Sequence, residues 1–264
     1  MICRDIHDHL KTQGTWVNWE STADTFKAGD SGRAVTTVAV AWKASWAALK
    51  EAHARGAELF ISHESICVCA SNNSTQPESV SALPSEKPKF DWLEQSGLVV
   101  YRCHDLWDRF PKIGIRDTWQ RGLELGGKIV NEVGSLLVTE IAPIRAATLA
   151  QHVLTKIRPL GQNGLLLAGD GDKIVRRVAT GAGVTVDPIA MIDAGADVGI
   201  ITDDYYCFVR MGTHARELDF PTITVNHGVS EEWGVVNLAR YLAVAFPQLE
   251  VFHIPQTCAY AVVM

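Results

Sequence analysis

No stretch of this chain approaches the ~20 consecutive apolar residues that a membrane-crossing helix needs; the run Leu242-Ala243-Val244-Ala245-Phe246 stops at Pro247. The N-terminus lacks the basic segment and apolar stretch of an export signal and carries Asp5, His7, Asp8 and His9 instead. A soluble, cytoplasmic protein is therefore expected, with no membrane partner. Clusters of Lys and Arg interleaved with aromatics are also missing. With 30 acidic against 24 basic residues and a net charge of −6, the chain has no basic footprint for nucleic acid. Cysteine is sparse and irregularly spaced (Cys3, Cys67, Cys69, Cys103, Cys207, Cys258), which excludes a disulfide framework and leaves reduced thiols as the expectation. Cys67-x-Cys69 has no second pair to complete a structural zinc site. No Gly-x-Ser-x-Gly occurs, so serine-nucleophile hydrolysis is unsupported. Gly181-Ala182-Gly183 lacks the third glycine and the ribose-binding acid of a dinucleotide fingerprint and reads as a glycine turn.

What the chain does contain is an ordinary globular composition, 47% hydrophobic and 20% charged over 264 residues, enough for one large α/β domain or two lobes. Ile2, Ile6 and Leu10 recur at helical spacing. Residues 36–41 read as a buried strand, 45–55 as a helix closed by Gly56, and 58–62 as a second strand, together a βαβ unit with parallel pairing. Residues 70–89 are polar and rich in Pro and Ser, as in a surface loop. A helix over 90–96 and a strand over 98–103 follow. The reading continues with a strand at 129–141, a helix at 143–157 with Pro143 in its first turn, a strand at 175–180 and a helix at 187–194. Then come a strand at 197–201, a helix at 205–218, a strand at 221–225, a helix capped by Ser230 and ending before Pro247, and a strand at 250–254. The expected architecture is two similar α/β lobes, approximately residues 1–128 and 129–264, with mostly parallel sheets.

Three polar clusters fall at the carboxyl ends of expected strands: His63-Glu64, His104 through Asp108, and His227 through Glu231. That edge of an open α/β sheet is where ligands bind. Imidazole and carboxylate suit divalent cations of the first transition row or Mg and Mn. Three carboxylates, Glu64, Asp108 and Glu231, with one bridging hydroxide would neutralise two such ions, and a two-metal site of this kind activates water. Each cluster also has a structural reading. A histidine at a strand end is often only hydrogen-bonded, Glu231 and Glu232 are favourable in a first helical turn, and Asp105 and Asp108 suit a turn or cap.

A resemblance chooses between these readings. His63-Glu64 after Ala57-Glu58-Leu59-Phe60-Ile61-Ser62, His104-Asp105-Leu106-Trp107-Asp108 after Val100-Tyr101, and His227-Gly228-Val229-Ser230-Glu231 resemble, in order and internal spacing, the three signature segments of the Nif-three-like family, catalogued as GTP cyclohydrolase I type 2 homologues. Weaker similarity lies in residues 178–183 and 194–204. The resemblance implies a metal site on His63, Glu64, Asp108, His227 and Glu231 in a cleft between lobes, with two divalent ions (Mn, Fe or Zn) and a toroidal homohexamer. His104 would stand beside the metals, supporting ligands or transferring protons. The chain departs from the family where Glu64 replaces the second His of the usual pair, which leans the site towards harder ions. It departs again at Thr202-Asp203-Asp204, after which no His follows at the customary distance. The expected function is a metal-dependent hydrolase acting through metal-bound hydroxide on a small anionic or nucleotide-like molecule, the alternative being a non-catalytic scaffold that stores or delivers metal. Nothing in the chain resembles the residue set of established GTP cyclohydrolases, and a family label does not fix a reaction.

Overall fold

Three short runs rich in Val, Ile and Ala are buried on both faces and so form the centre of a parallel sheet rather than an alternating, half-solvated one. The computed structural model describes residues 1–67, 78–181, 183, 187–203 and 212–263. They divide into two compact units, Met1–Phe110 with Val235–Gln256, and Pro111–Gly234 with Thr257–Met264.

The first unit begins with α1 (Cys3–Gln13), which buries Cys3, Ile6 and Leu10 at the expected helical spacing. Then follow β1 (Phe26–Ala28), β2 (Thr37–Ala41), α2 (Trp46–Ala54), β3 (Leu59–Ser62), α3 (Glu78–Ser81), α4 (Lys87–Ser96), β4 (Val99–Arg102) and α5 (Asp105–Asp108). The sheet runs β1, β4, β3, β2 and then the chain's last strand, Glu250–His253; all pairs are parallel except β1 with β4. Ala39, Ala41, Phe60 and Val100 pack with Leu49, Leu93 and Leu98 in one core. Ser45 caps α2 by accepting from the Ala48 N–H. Part of the expected loop at 70–89 is helical: α3 lies within it, and α4 starts inside it with Pro88 in the first turn, where a missing N–H costs nothing. Residues 70–77 of that loop lie outside the described residues.

The second unit holds α6 (Ile115–Gly122), β5 (Lys128–Val133), β6 (Leu136–Arg145), α7 (Ala146–Ile157), β7 (Leu166–Ala168), β8 (Ile174–Thr180), α8 (Pro188–Asp193), β9 (Val198–Thr202), α9 (Thr213–Glu217) and β10 (Thr222–Val225). Helix α10 (His227–Ala245) places its first residues here, and β11 (Glu250–His253) is the last strand of the first unit. The six-stranded sheet runs β5, β6, β8, β9, β10, β7, with β8, β9 and β10 parallel and the other pairs antiparallel. Val178 and Ile200 join the core on one face with Val153 and Ile157, while Ala179 and Ile201 join Met191 and Phe220 on the other, the period of two that a covered sheet requires.

The structure corrects two expectations here. Residues 129–141 are not one strand but a hairpin, because Gly134 (φ +58°) and Ser135 close a two-residue turn between Val133 and Leu136. Pro143 lies in β6, not in a helix; it sits where the register with β8 slips between Glu140 and Ile144, a bulge that tolerates a residue without an N–H. Of the helix expected at 205–218, residues 205–211 lie outside the described residues and Thr213–Glu217 is helical. Among the described residues no helix is long and apolar enough to cross a membrane, and Cys3, Cys103 and Cys258 are free thiols.

Candidate metal centre

In the first unit the parallel ladder carries past the ends of the strands. The His63 N–H donates to the Ala41 carbonyl (3.2 Å), the Glu64 N–H to that of Trp42 (2.6 Å) and the Cys103 N–H to that of Ser62 (2.8 Å). His63 and His104 thus emerge side by side at the carboxyl edge, their rings stacked with centroids 4.7 Å apart and 18° between planes.

His63 is fully buried, and its Nδ1 lies 3.0 Å from the Cys103 carbonyl. A carbonyl only accepts, so Nδ1 carries the hydrogen and, in the neutral ring, Nε2 keeps a lone pair. That lone pair faces Asp108 Oδ1 at 3.3 Å. Two electron-rich atoms at this distance call for a proton or a cation, and a histidine oriented through its other nitrogen is the arrangement found at metal sites. His63, His104 and Asp108 bring donor atoms within 4.8 Å of one another.

His104 differs from His63. Its Nδ1 is 2.9 Å from Asp105 Oδ1 and 3.6 Å from Asp108 Oδ2, and its Nε2 is 3.5 Å from Glu64 Oε1, so both nitrogens face carboxylates. Burial alone would lower its pKa, but Asp108 and the hydrogen bonds to Asp105 and Glu64 outweigh this and hold it well above the ordinary value. Without a metal these contacts favour the protonated ring. Asp105 in turn is desolvated, yet its bonds to His104, the Ala23 N–H and the Thr22 hydroxyl keep its carboxyl ionised far below the usual range.

Glu64 does not join the His63, His104 and Asp108 group. Its Oε2 accepts from Arg102 (3.1 Å) and from the Ser65 N–H (3.0 Å). Arg102 is 2% exposed and its Nε also donates to the His63 carbonyl (3.0 Å). The sequence reading passed over Arg102, although a charge inside an otherwise apolar strand signals a buried partner. It also passed over Asp24, which has no local signal. This fully buried carboxylate accepts from the backbone N–H groups of His104, Asp105 (2.9 Å) and Leu106 (2.8 Å), and so satisfies the start of α5 where His104 supplies no side-chain cap.

In the second unit His227 and Glu231 stand one turn apart at the start of α10, with Nε2 and Oε1 2.9 Å apart. Ser230 does not cap this helix: the helix already starts at His227, and the Ser230 hydroxyl donates back to the His227 carbonyl (2.7 Å). The cap is Asp203, which accepts from the His227 N–H (3.0 Å) and from Asn226 Nδ2 (2.8 Å). Gly183 lies against the pair with φ +54°; a Cβ there would come within 3.1 Å of His227 Nε2 and 3.2 Å of Glu231 Oε1. The glycine turn read from the sequence therefore borders the donor atoms, and only glycine leaves them this room. Of the weaker segments, Ala182 and Asp204 lie outside the described residues, as does Cys69.

Comparison with known proteins agrees with this fold. Residues 21–258 match the family model described as Duf34/NIF3 (NGG1p interacting factor 3). The Staphylococcus aureus hypothetical protein SA1388 superposes with a TM-score of 0.79 at 15% identity, covering 100% of this chain and 99% of that one. The protein ybgI, of unknown function, gives 0.76 at 21% identity with 97% and 100% covered. Reduced HcgD from Methanocaldococcus jannaschii gives 0.70 at 17% identity with 97% and 98% covered. At these identities the likeness is one of fold. No curated protein matches the sequence.

Proposed function

Since the chain belongs to the Duf34/NIF3 family, we propose that it is a metal-dependent hydrolase that holds two divalent cations (Mn, Fe or Zn) on His63, Glu64, Asp108, His227 and Glu231. The observation that supports this reading most is an imidazole facing a carboxylate in each unit: His63 Nε2 to Asp108 Oδ1 at 3.3 Å, and His227 Nε2 to Glu231 Oε1 at 2.9 Å. Neutral histidine and ionised carboxylate are the forms that bind metal, and a cation relieves the opposition of lone pairs between His63 and Asp108. When bound, divalent ions polarise a substrate oxygen and lower the pKa of a coordinated water towards ~7.

The chain's own residues supply the rest. The Cys103 carbonyl holds His63 in the tautomer that leaves Nε2 as the donor. Asp105 orients His104 and keeps a proton on it, so His104 is the group placed to give a proton to a leaving group. The substrate in this reading is a small anionic or nucleotide-like molecule, because cations recognise oxyanions. The homohexamer and the cytoplasmic location belong to the same proposal and rest on resemblance and composition.

Metal analysis of the purified protein, followed by a turnover screen over nucleotides and phosphoesters with and without chelator, tests it. The expectation is bound divalent metal and a hydrolysis that stops on chelation and returns with Mn²⁺ or Fe²⁺. Hydrolysis that ignores chelation contradicts the mechanism, and tightly held metal with no turnover across the screen favours a storage or delivery scaffold.

A further inference from the structure

Arg102 places a positive charge, 2% exposed, at the end of an otherwise apolar strand, and a buried charge persists only if something compensates it. Glu64 does so. The register of β3 with β4 sets Ser62 opposite Arg102, which aims the guanidinium at the two residues just past the end of β3. Nε binds the His63 carbonyl and a terminal nitrogen binds Glu64 Oε2, so the planar fork is held at two points and the carboxylate at one. The Ser65 N–H takes Oε2 as well. Both of these contacts fall on the same oxygen, and the other, Oε1, turns to His104 Nε2 at 3.5 Å, on the side of the stacked imidazoles.

We propose that Arg102 and Glu64 act as one charge-neutral unit standing in for an imidazole, with Arg102 a positioning residue that anchors Oε2 so that Glu64 offers a divalent cation a single oxygen, Oε1. The inference rests on the metal reading above and deepens it. Coordination through both oxygens of Glu64 would require Oε2 to give up one of its two hydrogen bonds, so the carboxylate serves as a one-atom donor, as an imidazole does. Arg102 also cancels one of the three carboxylate charges counted from the sequence. Lysine keeps that charge but cannot reach the His63 carbonyl and Glu64 together as a rigid fork does.

Calorimetric titration of the metal-free full chain with Mn²⁺ tests this in four proteins: wild type, R102K, E64A and E64A/R102K. R102K should weaken Mn²⁺ binding about tenfold beside Glu64, the usual loss when a partner of a metal ligand is removed, and by less than about twofold in the E64A background, since non-additivity marks residues that act together. Equal losses in both backgrounds, or none in either, overturn the proposal while leaving the metal reading standing; a wild type that takes up no Mn²⁺ overturns both. A second measurement does not depend on metal or on R102K folding. In thermal unfolding of the metal-free protein, E64H should lower Tm by stranding a buried guanidinium, and E64H/R102M should recover most of the loss. A double variant no more stable than E64H alone would show that Arg102 is not Glu64's partner.

Discussion

In the first unit, His63 and Asp108 meet at 3.3 Å alongside Arg102 and His104; Arg102 ends β4, Asp108 ends α5, His63 follows β3 and His104 precedes α5. In the second, His227 and Glu231 meet at 2.9 Å from successive turns of one long helix, with Gly183 close against them. Each unit uses an aspartate from a distant segment to hold the helix that carries its donors. Asp24 takes three backbone N–H groups and is fully buried, whereas Asp203 takes one, with an asparagine amide. The first half-set is thus assembled by tertiary structure and the second largely by helical geometry, so the same kind of damage should cost the first more.

Replacing the two aspartates tests this most strongly. Asp24→Ala leaves buried N–H groups at the start of α5 without their acceptor and should cost about 3 kcal/mol, whereas Asp203→Ala should cost about 1 kcal/mol, an ordinary cap. Urea unfolding of both variants measures the difference, and equal costs would break the comparison. Next in size, His104→Ala should keep its metal yet lose roughly 10²-fold in turnover, as expected for a proton-transfer group. Wild-type turnover in that variant would remove the role. Smaller again, Gly183→Ala should destabilise by about 1 kcal/mol, because a residue with a Cβ is strained at positive φ. It should also weaken metal uptake by crowding the His227 and Glu231 atoms; unchanged uptake would place the cation away from that pair.

The smallest effect is one of pH. In the metal-free protein His104 has a raised pKa, so its stabilising contribution is complete below about 6.5 and fades as pH rises through the raised value. The difference in unfolding free energy between wild type and His104→Ala should shrink at alkaline pH; a difference that grows would mean the imidazolium is not held by Asp108, Asp105 and Glu64.

How legible these features were in the sequence follows the same division. The strand ends at His63 and His104 could be read because β3 and β4 are continuous apolar runs that stop at polar residues, and the His227 to Glu231 spacing is that of one helical turn. Arg102, Asp24 and Asp203 act across 38, 80 and 24 residues of chain, and pattern along the sequence carries no trace of such partners. Ser230 shows the consequence: a serine near the start of a helix is a good cap by local rules, yet Asp203 had already set the helix start one turn earlier. The turn at Gly134-Ser135 was different in kind, since its signal is present in the sequence and was absorbed into an apparently continuous strand. The approximate lobes 1–128 and 129–264 assume that each unit is one segment, whereas the units in the structure exchange chain through residues 235–256, a return that no composition shift marks.

The central claim is that the donors in both units serve divalent metal. Its most direct test is the metal content, by elemental analysis, of Asp108→Ala and Glu231→Ala beside the wild type, each with its fold checked by circular dichroism. The account predicts that both variants fold and that both carry less metal than the wild type; full metal content in both would contradict it.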